Sequence, residues 1–297
     1  MIALVLILNA LAAIGFPTTK ALLPDMAPFF LSGIRLLACG IILFGYNFIT
    51  TRSWGGYRKS DLWMFTKLSF FSFFIAFGVG LVALEYVTAA KASFLYNLVP
   101  FFSAIFSYFY FSEKMTSKKL LGLAIGFVGF IPILLANGTG QGGSKILGWG
   151  DLLMIFAVLS YTYGLIITRK IMLKDTYTPA ILNATGMLGG AVFCLLTSVV
   201  VENNPVRAFT GYDFVMLFLA VISVVISYNL VARLLKKYTA TLLSFAALIM
   251  PFFAAAFSWV LLGERITWHY FAATGAVLIG LYIFYNEELK QGYITKP

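Results

Sequence analysis

Charge is what this 297-residue chain has least of: Asp, Glu, Lys and Arg make up 11% of it, against about a quarter in ordinary soluble domains. Histidine occurs once, at His269. That leaves no HExxH zinc site and no Ser/His/Asp set that does not depend on this one imidazole. The eleven carboxylates stand in loops or near the ends of apolar stretches, and none form the acidic cluster that a prenyl-phosphate metal site needs. A phosphate loop of the GxxxxGK type followed by Ser or Thr is missing, which argues against direct drive by ATP. The two cysteines, Cys39 and Cys194, both lie inside apolar stretches and read as small buried residues, not as a disulfide or a metal pair. These absences leave no cofactor and no metal to expect, and they disfavour an enzyme.

What the chain does have is apolar surface. Hydrophobic residues make up 61%, with 30 Phe and 16 Tyr. A membrane-spanning helix needs about 20 mainly apolar residues. Ten stretches meet or approach this: near 2–23, 29–49, 62–84, 89–111, 119–136, 148–167, 179–201, 214–235, 240–262 and 268–285. The first lacks a basic segment ahead of its apolar run and nine more spans follow, so it is expected to be retained, not cleaved as a leader. With the N-terminus placed inside, 15 of the 21 Lys and Arg fall in inner loops, 5 in outer loops, and Arg35 lies within a span. The positive-inside rule then puts both termini in the cytoplasm of what reads as a bacterial inner membrane. It also accounts for the net charge of +10 without nucleic-acid binding, because the basic residues are scattered over loops.

The chain also repeats itself. A shift of 151 positions lays Thr88–Thr116 on Thr239–Thr267 without a gap, and 12 of the 29 pairs are identical. Among them are Ser93/Ser244, Phe94/Phe245, Pro100/Pro251 and Glu113/Glu264. Each copy belongs to a half with five spans, and an odd number of spans turns the second half over. The expected fold is an all-α integral membrane protein of ten transmembrane helices as two five-helix inverted repeats, 1–136 and 148–286. A Gly-rich linker (137–147) joins them and a cytoplasmic tail (287–297) follows. Inverted repeats with a substrate site at their interface are a common build of secondary transporters.

Spans four and nine carry Pro100 and Pro251 mid-span. Each proline lacks an N–H and should free the carbonyl four residues earlier, at Tyr96 and Ala247. Both prolines are candidate hinges. A small or polar stripe, Ser93, Tyr96/Asn97, Pro100, Ser103/Ala104 and Ser107, runs along span four and recurs on span nine from Ser244 to Ser258. It is either a close packing face or a polar cavity wall. Arg35 lies about 10 Å deep. It is either a substrate contact or half of a structural pair with Glu85. Further in-span polar candidates are Asn9, Tyr161, Tyr163, Asn183, Tyr228 and Asn229, and Phe77 and Phe245 are candidates for apolar lining. Glu113 and Glu264 read as caps of the repeat, and Lys91 as a snorkelling residue or an anion contact at the outer mouth. Gly122, Gly126, Gly129, Gly275 and Gly280 read as tight packing in spans five and ten.

At this point the residues resemble a family. Leu84–Phe94 (LEYVTAAKASF) running to Pro100, then Phe111–Lys114 (FSEK), and in the second half Lys237–Phe245 (KYTATLLSF) to Pro251, then Leu262–Thr267 (LGERIT), resemble the ten-helix EamA branch of the drug/metabolite transporter superfamily. Arg35 in SGIRL resembles an Arg often carried in that family's second helix, and Gly150–Leu153 with Arg169–Lys170 resembles the opening of its second unit. Where the family often has Trp in the first helix of each repeat, this chain has Ala12 and Tyr161. The resemblance implies alternating access for small organic metabolites, with amino acids or related compounds first and import of a nucleoside-like or methyl-donor compound as the alternative. A non-transporting scaffold or lipid-handling protein is the alternative of another class. Expected partners are a small-molecule substrate and membrane lipid, with a homodimer left open.

Overall fold

Lipid offers the backbone no hydrogen-bond partner, so an apolar chain must close its own bonds, and helices are the way to do so segment by segment. The computed structural model describes residues 2–52, 56, 58–87, 92, 95–129, 148–262 and 268–294, and these are helices joined by short turns. The linker, Lys91, Ser93 and Glu264 lie outside the described residues. The ten spans are α1 (Ile2–Ala13 and Gly15–Leu22), α2 (Pro28–Thr51), α3 (Lys59–Tyr86), α4 (Val99–Phe111), α5 (Ser117–Val128), α6 (Trp149–Met172), α7 (Pro179–Val201), α8 (Gly211–Leu234), α9 (Ala240–Ala246 and Met250–Leu262) and α10 (Trp268–Gln291). α10 runs beyond residue 285, so Glu287, Glu288 and Lys290 sit on its last turns.

The starts of these helices are written locally. Pro28 and Pro179 occupy first-turn positions, where a missing N–H costs nothing. The hydroxyls of Thr116, Thr178 and Thr239 accept from the N–H groups of Lys119, Ile181 and Leu242. Thr210 and Asp213 form a capping box at the start of α8. Three helix ends close on left-handed residues, Arg52, Ser112 and Asp175.

Equivalent helices of the two repeats pack on one another: α2 on α7, α4 on α9, and α5 on α10. Glycine permits the closest approaches. A Cβ at Gly33 or Gly40 of α2 would lie 2.6 Å from Leu195 or Leu188 of α7, and one at Gly122 of α5 would lie 2.7 Å from the Gly280 carbonyl of α10. Gly275, expected in that contact, has nothing within 4 Å of its Cβ position. The α2–α7 pair is tied at both ends. The Glu202 carboxylate accepts from the N–H groups of Phe29 (2.8 Å) and Phe30 (3.0 Å), and the Thr178 hydroxyl donates to Asn47 Oδ1 at 2.6 Å.

The central helices are irregular. α3 is a π-helix from Leu68 to Val79. Its i→i+5 ladder puts more than four residues in a turn, so residues four apart nearly eclipse, and the phenylalanines stack as Phe70–Phe74 and Phe73–Phe77, with ring centroids 5.4 and 6.1 Å apart. Glycines on the facing helices make room for this wide segment. A Cβ at Gly164 would reach Ser72 Cα at 2.9 Å, and one at Gly186 would reach Leu68 at 3.1 Å.

Spans four and nine are not kinked helices with proline mid-ladder, as expected, but broken ones. In span four the helix stops after Tyr96, turns at Asn97–Leu98 and restarts, with Pro100 in the first turn of α4. In span nine a 3₁₀ turn at Ala247–Ile249 separates the two pieces. The 151-residue shift carries Asn97–Leu98 onto Leu248–Ile249, so the breaks are equivalent. In α9 the Met250 N–H bonds to the Ala247 carbonyl, three residues back. The Ala247 carbonyl expected to be free is therefore taken, and Asn9 Nδ2 donates to the neighbouring Ala246 carbonyl at 3.2 Å. The Pro251 side chain lies outside the described residues.

Candidate functional site

Arg35 is a charged side chain set within the apolar length of α2, and the residue is 4% exposed. Its Nη1 donates to the hydroxyl of Thr19 on α1. Its guanidinium carbon lies 4.9 Å from the centroid of Phe77 on α3. Its electrostatic neighbours are Cys39, Tyr228, Cys194 and Tyr96. Nε is buried and has no hydrogen-bond partner. The pairing with Glu85 is not formed: Glu85 is exposed, and among the described residues the ion pairs are Lys119–Glu288, Arg169–Glu113, Lys174–Asp61 and Lys236–Asp175. A buried cation without an acid is costly in a low-dielectric interior. It is an arrangement suited to receiving an anion.

Aromatic rings surround it. Tyr228 of α8 lies 5.5 Å from Phe73 and 5.7 Å from Phe77, and Tyr96 lies 6.5 Å from Tyr161 of α6. Tyr161 and Tyr96 are in turn the leading electrostatic neighbours of Tyr228. The Tyr96 hydroxyl sits 3.5 Å from the Cβ position of Gly80, where a larger residue would press on it. Asn97, at the break beside Tyr96, is buried with Nδ2 unpartnered. The π segment of α3, the break before α4, and helices α1, α2, α6 and α8 thus deliver one guanidinium, three phenols, two phenyl rings and an amide to one place. A planar ring can stack there while the free edge of the Arg35 fork takes a carboxylate.

The other predicted residues go elsewhere. Tyr163 stands in a second aromatic group with Phe71, Phe106 and Tyr110. Asn229 donates to the Val225 carbonyl in its own helix at 2.8 Å, and Ser244 to the Thr241 carbonyl at 3.0 Å. Phe245 fills the gap between α5 and α10, 5.6 Å from Phe284 and against Gly126 and Gly280. Asn183 of α7 is buried with Nδ2 unpartnered. The lower part of the polar stripe is packing, since Ser107 meets Thr241 of α9. Glu113 is a buried partner of Arg169, which joins the two repeats. Thr19, which orients Arg35, was not picked out from the sequence. Its signal is the Thr18–Thr19–Lys20 run inside an otherwise apolar span.

Known proteins match along the whole chain. The model of the EamA-like transporter family matches residues 1–135 and 148–286. The S-adenosylmethionine/S-adenosylhomocysteine transporter of Chlamydia muridarum is 31% identical over 294 residues, covering 94% of this chain and 90% of its own. A Salmonella typhimurium protein named "probable amino-acid metabolite efflux pump" is 26% identical over 289 residues, covering 94% of this chain and 93% of its own. A solved crystal structure covers 95% of this chain and 98% of its own at a TM-score of 0.75 and 17% identity, a likeness of fold. With ten spans in two inverted repeats, this chain is a membrane-embedded transporter of small molecules and not an enzyme, and it belongs to the EamA-like transporter family.

Proposed function

We propose that this transporter carries S-adenosylmethionine and S-adenosylhomocysteine along a path past the Arg35 cluster. The observation that supports this most is a buried guanidinium with no acidic partner, ringed by Phe77, Tyr96, Tyr161 and Tyr228. These ligands share a carboxylate, which suits the Arg35 fork, and an adenine, which suits a stacking wall. The sulfonium of S-adenosylmethionine is a soft cation, and aromatic faces attract such cations. The relative named for these compounds is also closer in identity than the one named for amino-acid metabolites. The order of the two substrate expectations is therefore reversed: the methyl-donor compound comes first and amino acids second. Membership in this family together with bacterial relatives supports placement in a bacterial inner membrane, and the loop charge bias supports cytoplasmic termini.

Uptake of radiolabelled S-adenosylmethionine into proteoliposomes holding the purified protein should exceed that of empty liposomes. Unlabelled S-adenosylhomocysteine should compete, and free methionine should not. Competition by methionine at equal concentration would instead favour the amino-acid reading, because then the carboxylate alone would be recognised.

A further inference from the structure

Away from the Arg35 cluster, a cavity of about 90 Å³ lies between α3, α4 and α6, lined by Met64, Lys67, Tyr110, Tyr163, Ile166, Ile167 and Lys170. Its two cations come from opposite repeats, Lys67 from α3 and Lys170 from α6. Both act electrostatically on the phenol of Tyr110, whose ring centroid lies 6.0 Å from that of Tyr163. Lys67 rests over the Trp63 ring (5.1 Å) and Lys170 over Tyr110 (5.9 Å). Neither lysine belongs to an ion pair among the described residues, and no carboxylate lines the cavity. Two ammonium groups held together repel unless an anion joins them. The volume is several times what one water needs, enough for a phosphate-sized group.

The position decides which anion. Trp63 is 66% exposed and Phe109 74%, and Leu62, Tyr108 and Tyr110 beside them are exposed too. Exposed Trp and Tyr next to lysines mark the level of lipid headgroups. Lys67 and Lys170 both belong to the end of the molecule that carries most of the loop cations, which faces anionic lipid under the positive-inside orientation.

We propose that this cavity binds the headgroup phosphate of an anionic phospholipid of the cytoplasmic leaflet. The phosphate oxygens take the Lys67 and Lys170 ammonium groups and the Tyr110 hydroxyl, while the acyl chains lie over the exposed aromatic residues of α3 and α4. Because the lysines belong to different repeats, the bound lipid clips the two halves together at this end.

The test is the thermal unfolding of the purified full-length chain in detergent, titrated with phosphatidylglycerol, phosphatidylcholine or inorganic phosphate, with bound lipid counted by native mass spectrometry. Phosphatidylglycerol should raise the midpoint of the wild type and stay bound, and the other two should not. Each lysine near a lipid surface is worth about fivefold in affinity, so Lys67→Gln/Lys170→Gln should weaken phosphatidylglycerol about twenty-fivefold. Lys290→Gln, which removes an exposed cation at the same end, should leave it unchanged. Equal effects of the two lipids on the wild type would overturn the proposal, as would undiminished phosphatidylglycerol binding by the double variant. Inorganic phosphate matching the lipid would make this a soluble-anion site and overturn it as well. Should the double variant not fold, each single variant carries the same readout at about fivefold.

Discussion

Replacing Arg35 by Gln is expected to lower initial transport of S-adenosylmethionine by roughly a hundredfold while the protein still folds and inserts. The substitution keeps a hydrogen-bonding group that can stay near Thr19, but it removes the charge and the fork. A substrate carboxylate would then be buried without a cation, and truncating one partner of such a pair costs about 2–5 kcal/mol. Stability should move the other way or stay level, because the empty protein no longer holds an uncompensated cation among Phe77, Tyr96 and Tyr228. Initial uptake rates, normalised to protein recovered in monodisperse form, check this. Unchanged transport in Arg35→Gln would mean the guanidinium has only a structural role.

The second large effect is on stability, at the carboxylate that ends span four, which the repeat carries again as Glu264. Glu113 is 6% exposed and pairs with Arg169 of the second repeat, whose guanidinium also lies 4.4 Å from the Phe111 ring centroid. Arg169→Met leaves the Glu113 carboxylate buried and alone, an arrangement expected to cost about 3–5 kcal/mol. Glu113→Gln with Arg169→Met should recover most of that loss, because neither charge then remains buried. Thermal unfolding midpoints of the wild type, the two single variants and the double variant form the cycle. Additive losses, with no recovery in the double variant, would show that the two side chains act independently.

The difference between these residues also shows how far the sequence could be read. Ten spans and the inverted repeat were legible, because hydropathy and a gapless 29-residue match at an offset of 151 survive any detail of packing. Arg35 stood out for the same reason: a lone charge in an apolar stretch is visible without a structure. Its partner was not. Glu85 was the nearest acid by depth, whereas the structure supplies the Thr19 hydroxyl, and a hydroxyl in a span carries no mark that separates it from a helix-bound one. The same ambiguity applies to Asn229 and Ser244, which donate to carbonyls of their own helices.

The breaks in spans four and nine were half legible. Proline signalled them, but a proline is as comfortable in the first turn of a new helix as at a kink, and Pro100 takes the first-turn place. The break in span four therefore lies at Asn97–Leu98, ahead of Pro100. The π segment of α3 left no trace in its own residues. It depends on the room that Gly164, Gly186 and Gly190 leave on two other helices, information that lies about a hundred positions away. Phe245, expected to line a site, instead fills a glycine-lined gap between α5 and α10 that only the packed structure reveals.

The proposal that Arg35 reads the amino-acid end of an adenine-bearing ligand is tested most directly by equilibrium binding of two compounds to two proteins. S-adenosylhomocysteine carries the carboxylate; methylthioadenosine keeps the adenine thioether and lacks the whole amino-acid group. Titration calorimetry on the wild type should show the first binding about a hundredfold more tightly than the second, and Arg35→Gln should bind both with the weaker affinity. A wild type that does not distinguish them, or an Arg35→Gln protein that keeps the full preference, would contradict the account.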